Sequence, residues 1–169
     1  RLWGRILSCY AIDLTLDDYV NRHSGIPTPS NAKLMVDKYD LGDVGENQLV
    51  EQKNTATSEW LSGCSFPLRA DALETVRYFF DSNLKLAVVT GASVEGVLST
   101  VKANELTDYF ATIVSGDDVK YSKPAPDCYF LAAQRLNLSP DQCVAIEDTK
   151  TGVLAATSAN IPCVAVTSD

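Results

Sequence analysis

Apolar residues recur at two different spacings along this chain, and the change of spacing divides it. Leu2, Trp3, Ile6 and Leu7 fall at helical intervals, which predicts a helix over the first residues. Thr15-Leu-Asp-Asp18 has the form of a capping box, with the shorter Asp18 in place of Glu or Gln. It predicts a second helix that runs to about His23 and stops at Gly25. Pro27 and Pro29 keep the following residues extended or turning, and further helices are expected over residues 30–39 and 46–61. No strand is expected in this part, so residues 1–64 read as a small helical lobe.

After Phe66-Pro67 the texture alternates. Short apolar runs over residues 84–89, 112–115, 144–146 and 163–167 are separated by helical patterns over 70–81, 93–103, 126–137 and from Thr149 to about Asn160. Strands rich in Val, Ile, Ala and Leu that alternate with helices indicate βαβ units and a parallel sheet covered on both faces. The run Val144–Ile146 is expected to be a fully buried strand. The fold class that follows is α/β, a Rossmann-like parallel sheet core at residues 65–169 with a small all-helical cap domain at residues 1–64.

Composition narrows the function. A chain of 169 residues, 46% of them hydrophobic, buries one core and a small accessory lobe. Lys and Arg number 14 against 22 Asp and Glu, and the net charge of −8 with no basic run would repel nucleic acid and anionic membranes. No apolar segment has transmembrane length and no signal-peptide pattern is present, so a cytoplasmic location is the default expectation. The five cysteines are widely spaced with no C-x-x-C pair and read as reduced and mostly buried. With His23 as the single histidine, a zinc site built on histidines is close to excluded, as is a Ser-His-Asp triad unless His23 serves it. Trp3, Trp60, Phe79 and Phe80 are assigned to packing.

Chemistry must then come from hydroxyls, lysine and carboxylates, and these gather where strands end. The run Leu86-Ala-Val-Val89 ends in Thr90-Gly91-Ala92-Ser93, a hydroxyl followed by small residues that let backbone N–H groups approach an anion. Its plainer reading is a strand-to-helix turn in which Ser93 caps the helix. Lys123 precedes a proline in Tyr121-Ser-Lys-Pro-Ala-Pro-Asp127; a lone lysine is ordinarily a solvated charge. Glu147 and Asp148 follow the run Val144–Ile146, at the carboxyl edge where open α/β sheets bind ligands. Thr149 or Asp148 is available to cap the next helix, and Gly152 lets that helix pack close to the strand. Adjacent acids at a helix start also arise simply because the helix dipole favours them. Two acids with no histidine suit Mg²⁺ rather than zinc. A hydroxyl, a lysine and an acid pair on successive strand ends make most of a phosphoryl-handling site.

At these residues the chain resembles the haloacid dehalogenase superfamily of hydrolases, in particular the helical-cap branch that holds phosphoglycolate phosphatase and β-phosphoglucomutase. The resemblance rests on Leu86-Ala-Val-Val-Thr-Gly-Ala-Ser93, Lys123-Pro-Ala-Pro-Asp127 and Val144-Ala-Ile-Glu-Asp-Thr-Lys-Thr-Gly-Val-Leu-Ala-Ala156. It implies that Thr90 hydrogen-bonds the transferring phosphoryl group with the Gly91 and Ala92 backbone, that Lys123 pairs with that group and the nucleophile, and that Asp148 with Glu147 holds Mg²⁺. The activity implied is a Mg²⁺-dependent phosphatase of a small phosphorylated metabolite such as a sugar phosphate, acting through an aspartyl-phosphate as a monomer or homodimer. The alternatives are a sugar phosphomutase and a truncated, non-catalytic phosphate-binding fragment. Thr28 falls near the place of the mutases' cap arginine, which weakens the first alternative. The family's Asp-x-Asp motif is not found: Asp13, Asp17 and Asp18 lack the spacing and the strand, and Asp37 and Asp40 are one residue too far apart. The resemblance puts that motif upstream of Arg1, on the middle strand of the sheet. Without such a strand its two neighbours would keep unpaired backbone groups, each costing about 1–3 kcal/mol where buried.

Overall fold

The computed structural model describes residues 2–24, 26–63 and 67–166. The chain forms two compact units, residues 1–63 and 64–169.

The first unit is helical, with α1 (Leu2–Ser8), α2 (Leu16–Arg22), α3 (Thr28–Lys38) and α4 (Glu46–Gly63). The Thr15 hydroxyl accepts the Asp18 N–H at 3.2 Å, which forms one half of the expected capping box. The Asp18 carboxylate turns instead to Arg22 and Lys38, at 3.2 and 3.7 Å. Helix α3 starts at Thr28, ahead of the expected position, because Pro29 fits a first helical turn whose N–H groups have no intrahelical partner. Trp3, Ile6, Leu7, Met35 and Leu49 are buried together. His23 and Asn31 are buried beside each other, Nδ1 to Oδ1 at 2.7 Å. Asn31 Nδ2 donates to the carbonyls of His23 and Ile26, so Asn31 Oδ1 is the acceptor and His23 Nδ1 carries the proton. The pair ties the end of α2 to the start of α3. Gly25, the expected helix stop, lies outside the described residues.

The second unit alternates α5 (Ala72–Asp81), β1 (Leu86–Val89), α6 (Val94–Ala103), β2 (Phe110–Val114), α7 (Asp127–Leu136), β3 (Ala145–Glu147), α8 (Lys150–Ser158) and β4 (Cys163–Ala165). This is the α/β alternation read from the sequence. Strand β2 begins two residues earlier than expected, and β3 extends through Glu147 rather than ending before it.

The strands fall into two sets. They are two parallel pairs, β1 with β2 and β3 with β4, and among the described residues no strand joins them. The pairs are nevertheless held in one frame. Helix α7 packs on β1, β2 and α8, and one cluster of buried residues takes Val114 from β2, Tyr129 and Ala132 from α7, Ala145 from β3 and Ala155 and Ala156 from α8. Val144 and Ile146, expected to be fully buried, are 67% and 53% exposed. Among the described residues β3 is bonded along one edge, and its other edge faces a groove. That groove, of about 280 Å³, is lined by Leu86, Ala87 and Val89 on one side and Val144, Ala145 and Ile146 on the other, with residues of α5 and α7 around them.

Of the aromatic residues assigned to packing, Trp3 is buried, whereas Phe80 is 45% exposed and meets Tyr109 edge to face. The cysteines are free among the described residues, but only Cys128 is buried; Cys9 is exposed and Cys143 and Cys163 are half-buried. Cys64 lies outside the described residues. No described helix is long and apolar enough to cross a membrane.

Candidate active site

The site is built where β1 and β3 end. Thr90 follows β1 directly, and its backbone N–H donates to the Val114 carbonyl, which continues the ladder with β2 by one residue. The chain then turns. The Thr90 hydroxyl oxygen accepts the Ala92 N–H at 3.1 Å, a turn closed by the side chain. Ala92's donor is therefore occupied, while the Thr90 O–H and the Gly91 N–H remain as donors at the turn. Ser93 caps α6, accepting the Gly96 N–H, and Asp117 accepts the Val94 N–H at 2.7 Å. The plain reading of this turn holds, since Ser93 caps the helix, and Thr90 stands directly at the strand end.

Gly116 locks the turn from behind. A Cβ there would stand 2.7 Å from the Gly91 carbonyl oxygen, so only glycine permits this approach, and the Gly116 N–H donates to the Ala92 carbonyl at 2.8 Å.

Lys123 links the two half-sheets. Its Nζ donates to the carbonyl of Val89, the last residue of β1, at 3.1 Å, and it forms an ion pair with the carboxylate of Glu147, the last residue of β3. Both partners are largely buried, with 11% and 7% of their side chains exposed. The carboxyl ends of β1 and β3 therefore lie at one end of the unit, and Thr90, Lys123, Glu147 and Asp148 are brought to that end together. Lys123 is held and shielded, not the solvated charge that a lone lysine suggests.

Glu147 has two further partners. The Tyr129 hydroxyl donates to it at 2.6 Å and the Thr149 hydroxyl at 3.3 Å. Burial pushes its carboxyl group up, but the hydrogen bonds and charge of Lys123, with Tyr129 and Thr149, outweigh this and hold it below the ordinary value. Burial pushes the Tyr129 hydroxyl well up, and the carboxylate it faces adds to the effect, so this phenol stays a donor. Gly152 makes room for the arrangement: any Cβ there would overlap the Glu147 carboxylate. Thr149 is the residue that caps α8, accepting the Gly152 N–H at 3.1 Å.

Asp148 is exposed. Glu147, the other expected ligand, is turned inward to Lys123 and Tyr129. The donors are all oxygens, which suits a hard cation, and among the described residues no three His, Cys, Asp or Glu side chains converge as a complete metal site. Of the pair, Asp148 is the one left exposed as a candidate oxygen ligand for a hard cation.

Comparison with known proteins bears on what this arrangement is for. The sequence profile of the haloacid dehalogenase-like hydrolases matches residues 10–166. The chain belongs to this family. It is therefore a hydrolase by descent, with the α/β core and helical cap that the family shares. It is 33% identical over 162 residues to a phosphorylated carbohydrates phosphatase of Thermotoga maritima, covering 94% of this chain and 72% of that one. It is 29% identical over 166 residues to the fructose-1-phosphate phosphatase YqaB of Escherichia coli, covering 98% and 86%. Among solved structures, CbbY from Rhodobacter sphaeroides, in complex with phosphate, superposes with a TM-score of 0.86 at 20% identity over 100% of this chain and 78% of that one, a likeness of fold.

Within this haloacid dehalogenase-like hydrolase, sequence reasoning brought forward Thr90, Gly91, Ala92, Lys123, Glu147 and Asp148, and the structure gathers them at one end of the α/β unit. It missed Tyr129 and Gly116. Tyr129 sits in the first turn of a helix whose apolar spacing makes it look like core. Gly116 lies in Ser115-Gly-Asp-Asp118, a cluster of turn residues after an apolar strand that offered no sign of what it packs against.

Proposed function

We propose that this chain is the greater part of a Mg²⁺-dependent phosphatase that hydrolyses a small phosphorylated carbohydrate or related metabolite. The observation that carries the reading is the shielded Lys123 ammonium, which bridges the end of β1 to the end of β3 and lies with Thr90 and Asp148 at one edge. The phosphatase relatives, each with a phosphorylated sugar in its name, support the substrate class.

In this reading a phosphate monoester lies at the carboxyl ends of β1 and β3. The Lys123 ammonium offsets charge on its oxygens, and the Thr90 O–H and Gly91 N–H donate to them, fixing the phosphorus for in-line attack. Glu147 and Tyr129 hold Lys123 in place. Mg²⁺, held in part by Asp148, supplies further neutralisation when bound. The attacking carboxylate, which would form an aspartyl-phosphate that water then hydrolyses, is not among the described residues gathered here and must come from another segment. The helical unit is read as the cap that excludes water and selects the substrate. A cytoplasmic location accords with free cysteines.

The test is a panel of phosphorylated sugars and small acids presented to the protein as its gene encodes it, with Mg²⁺ and with EDTA. Metal-dependent release of phosphate is expected, and its loss in Lys123→Met. No release from any member of the panel would overturn the reading.

A further inference from the structure

Among the described residues of the α/β unit the exposed aromatic side chains are Tyr78, Phe80, Phe130 and Tyr121. The first three lie on α5 and α7, whereas Tyr121, 57% exposed, lies on the connection from β2 to α7. Strand β2 runs parallel to β1 and ends beside it, its Val114 carbonyl accepting the Thr90 N–H, so a segment that leaves β2 there stands at the same edge as Thr90. Tyr121 also precedes Lys123 by two residues, and two backbone steps put their Cα atoms at most about 7.6 Å apart. Lys123 is itself fixed, to the Val89 carbonyl and to Glu147. A lone exposed tyrosine is ordinary. This one has a face already taken: the Lys120 ammonium lies 5.0 Å from its ring centroid, within the range in which an aromatic face holds a cation. Among the described residues Lys120 pairs with no carboxylate, so the ring is its partner.

We propose that the other face of Tyr121 is a platform for the sugar ring of the substrate, which makes Tyr121 a specificity-determining residue. The assignment rests on the phosphatase reading for where the phosphate lies. In that reading Thr90, Gly91 and Lys123 address the phosphoryl group and are blind to what it is esterified to. Selection needs a contact with the group beyond the ester oxygen. A sugar ring presents faces of C–H bonds between its hydroxyls, and these carry the partial positive charge that the electron-rich face of an aromatic ring attracts. A short acid or a straight-chain alcohol has no such face to offer. Lys120, set against the opposite side of the ring, orients the platform before the sugar arrives, so less freedom is lost on binding. An aromatic wall beside a few convergent polar groups is the usual make-up of a small-molecule site.

The protein as its gene encodes it is assayed on hexose phosphates and on glycerol phosphate, a phosphate monoester with no ring. Tyr121→Ala is expected to lower the ratio of kcat/KM between the best hexose phosphate and glycerol phosphate by about three- to ten-fold, with the change in KM and not in kcat. Tyr121→Phe keeps the aromatic face and should keep the ratio. An unchanged ratio in Tyr121→Ala, or a loss shared equally by both substrates, would overturn the proposal. Binding is read separately, from the ring signals of isotopically labelled Tyr121. Glucose monophosphate should shift them and inorganic phosphate should not. Ring signals that ignore the sugar phosphate, or that answer inorganic phosphate equally, would also overturn the platform. A panel from which no phosphate is released defeats the phosphatase reading, and the ring signals then decide the platform by themselves.

Discussion

The two units bury their residues in opposite ways. The helical unit closes on large side chains, with Trp3, Ile6, Leu7, Met35 and Leu49 all buried, and its buried polar pair, His23 with Asn31, is bonded within the unit. The α/β unit centres on small ones, with Ala132, Ala145, Ala155, Ala156 and Ala159 in its cluster, and leaves Leu84, Val144 and Ile146 exposed. Its buried polar pair is ionic, Lys123 with Glu147. Alanines there let helices lie close against strands, which positions strand ends; large residues in the helical unit fill its interior. The first unit buries a neutral polar pair among large side chains, the second an ion pair at its strand ends.

The contrast predicts where a substitution hurts. Trp3→Ala removes the largest buried side chain of the helical core and should cost about 3–5 kcal/mol, read by chemical denaturation, with the loss confined to the helical unit in residue-level hydrogen exchange. If exchange in β1–β4 accelerates equally, the units do not hold their stability separately. Lys123→Met should cost about 3 kcal/mol, because it strands the Glu147 carboxylate in a buried place without its cation. A double variant with Glu147→Gln should recover part of that loss, and failure to recover it would deny the ion pair this role.

Acid should strike the α/β unit first. Hydrogen bonds from the Ser115 hydroxyl and N–H, then from Arg135, hold the Asp118 carboxyl at about 2, against an ordinary value of 3.8. Its folded value is depressed, so its contribution is fully present above pH 3.8 and is lost as pH falls from there toward about 2. Glu147, also held below its ordinary 4.5, begins to add to the same loss below that pH. Denaturation followed against pH should show this acid limb, and Asp118→Asn should flatten it; an unchanged limb would break the assignment.

Much of the site could be read in the letters, because each motif is local. A hydroxyl after an apolar run, a lysine before Pro124 and two acids after Ile146 are contiguous signals, set by strand-to-helix turns that need small and capping residues. The helices were legible for the same reason: Thr15, Ser93 and Thr149 each satisfy a backbone N–H three residues on. What was misread depended on distant neighbours. Val144 and Ile146 carry the pattern of a buried strand, but burial is decided by what lies beside a strand.

By itself the sequence determined the alternation of elements, the helical first half and the residue types at each strand end, all consequences of periodicity and turn chemistry within a few positions. Only the tertiary structure decided that Lys123 spans from Val89 to Glu147, that Tyr129 points its hydroxyl at the same carboxylate and that Gly116 lies behind Gly91. These are meetings of residues 18 to 34 positions apart. Which of many apolar and charged groups meet at such separations is set by how whole helices and strands pack, and no short-range pattern records it.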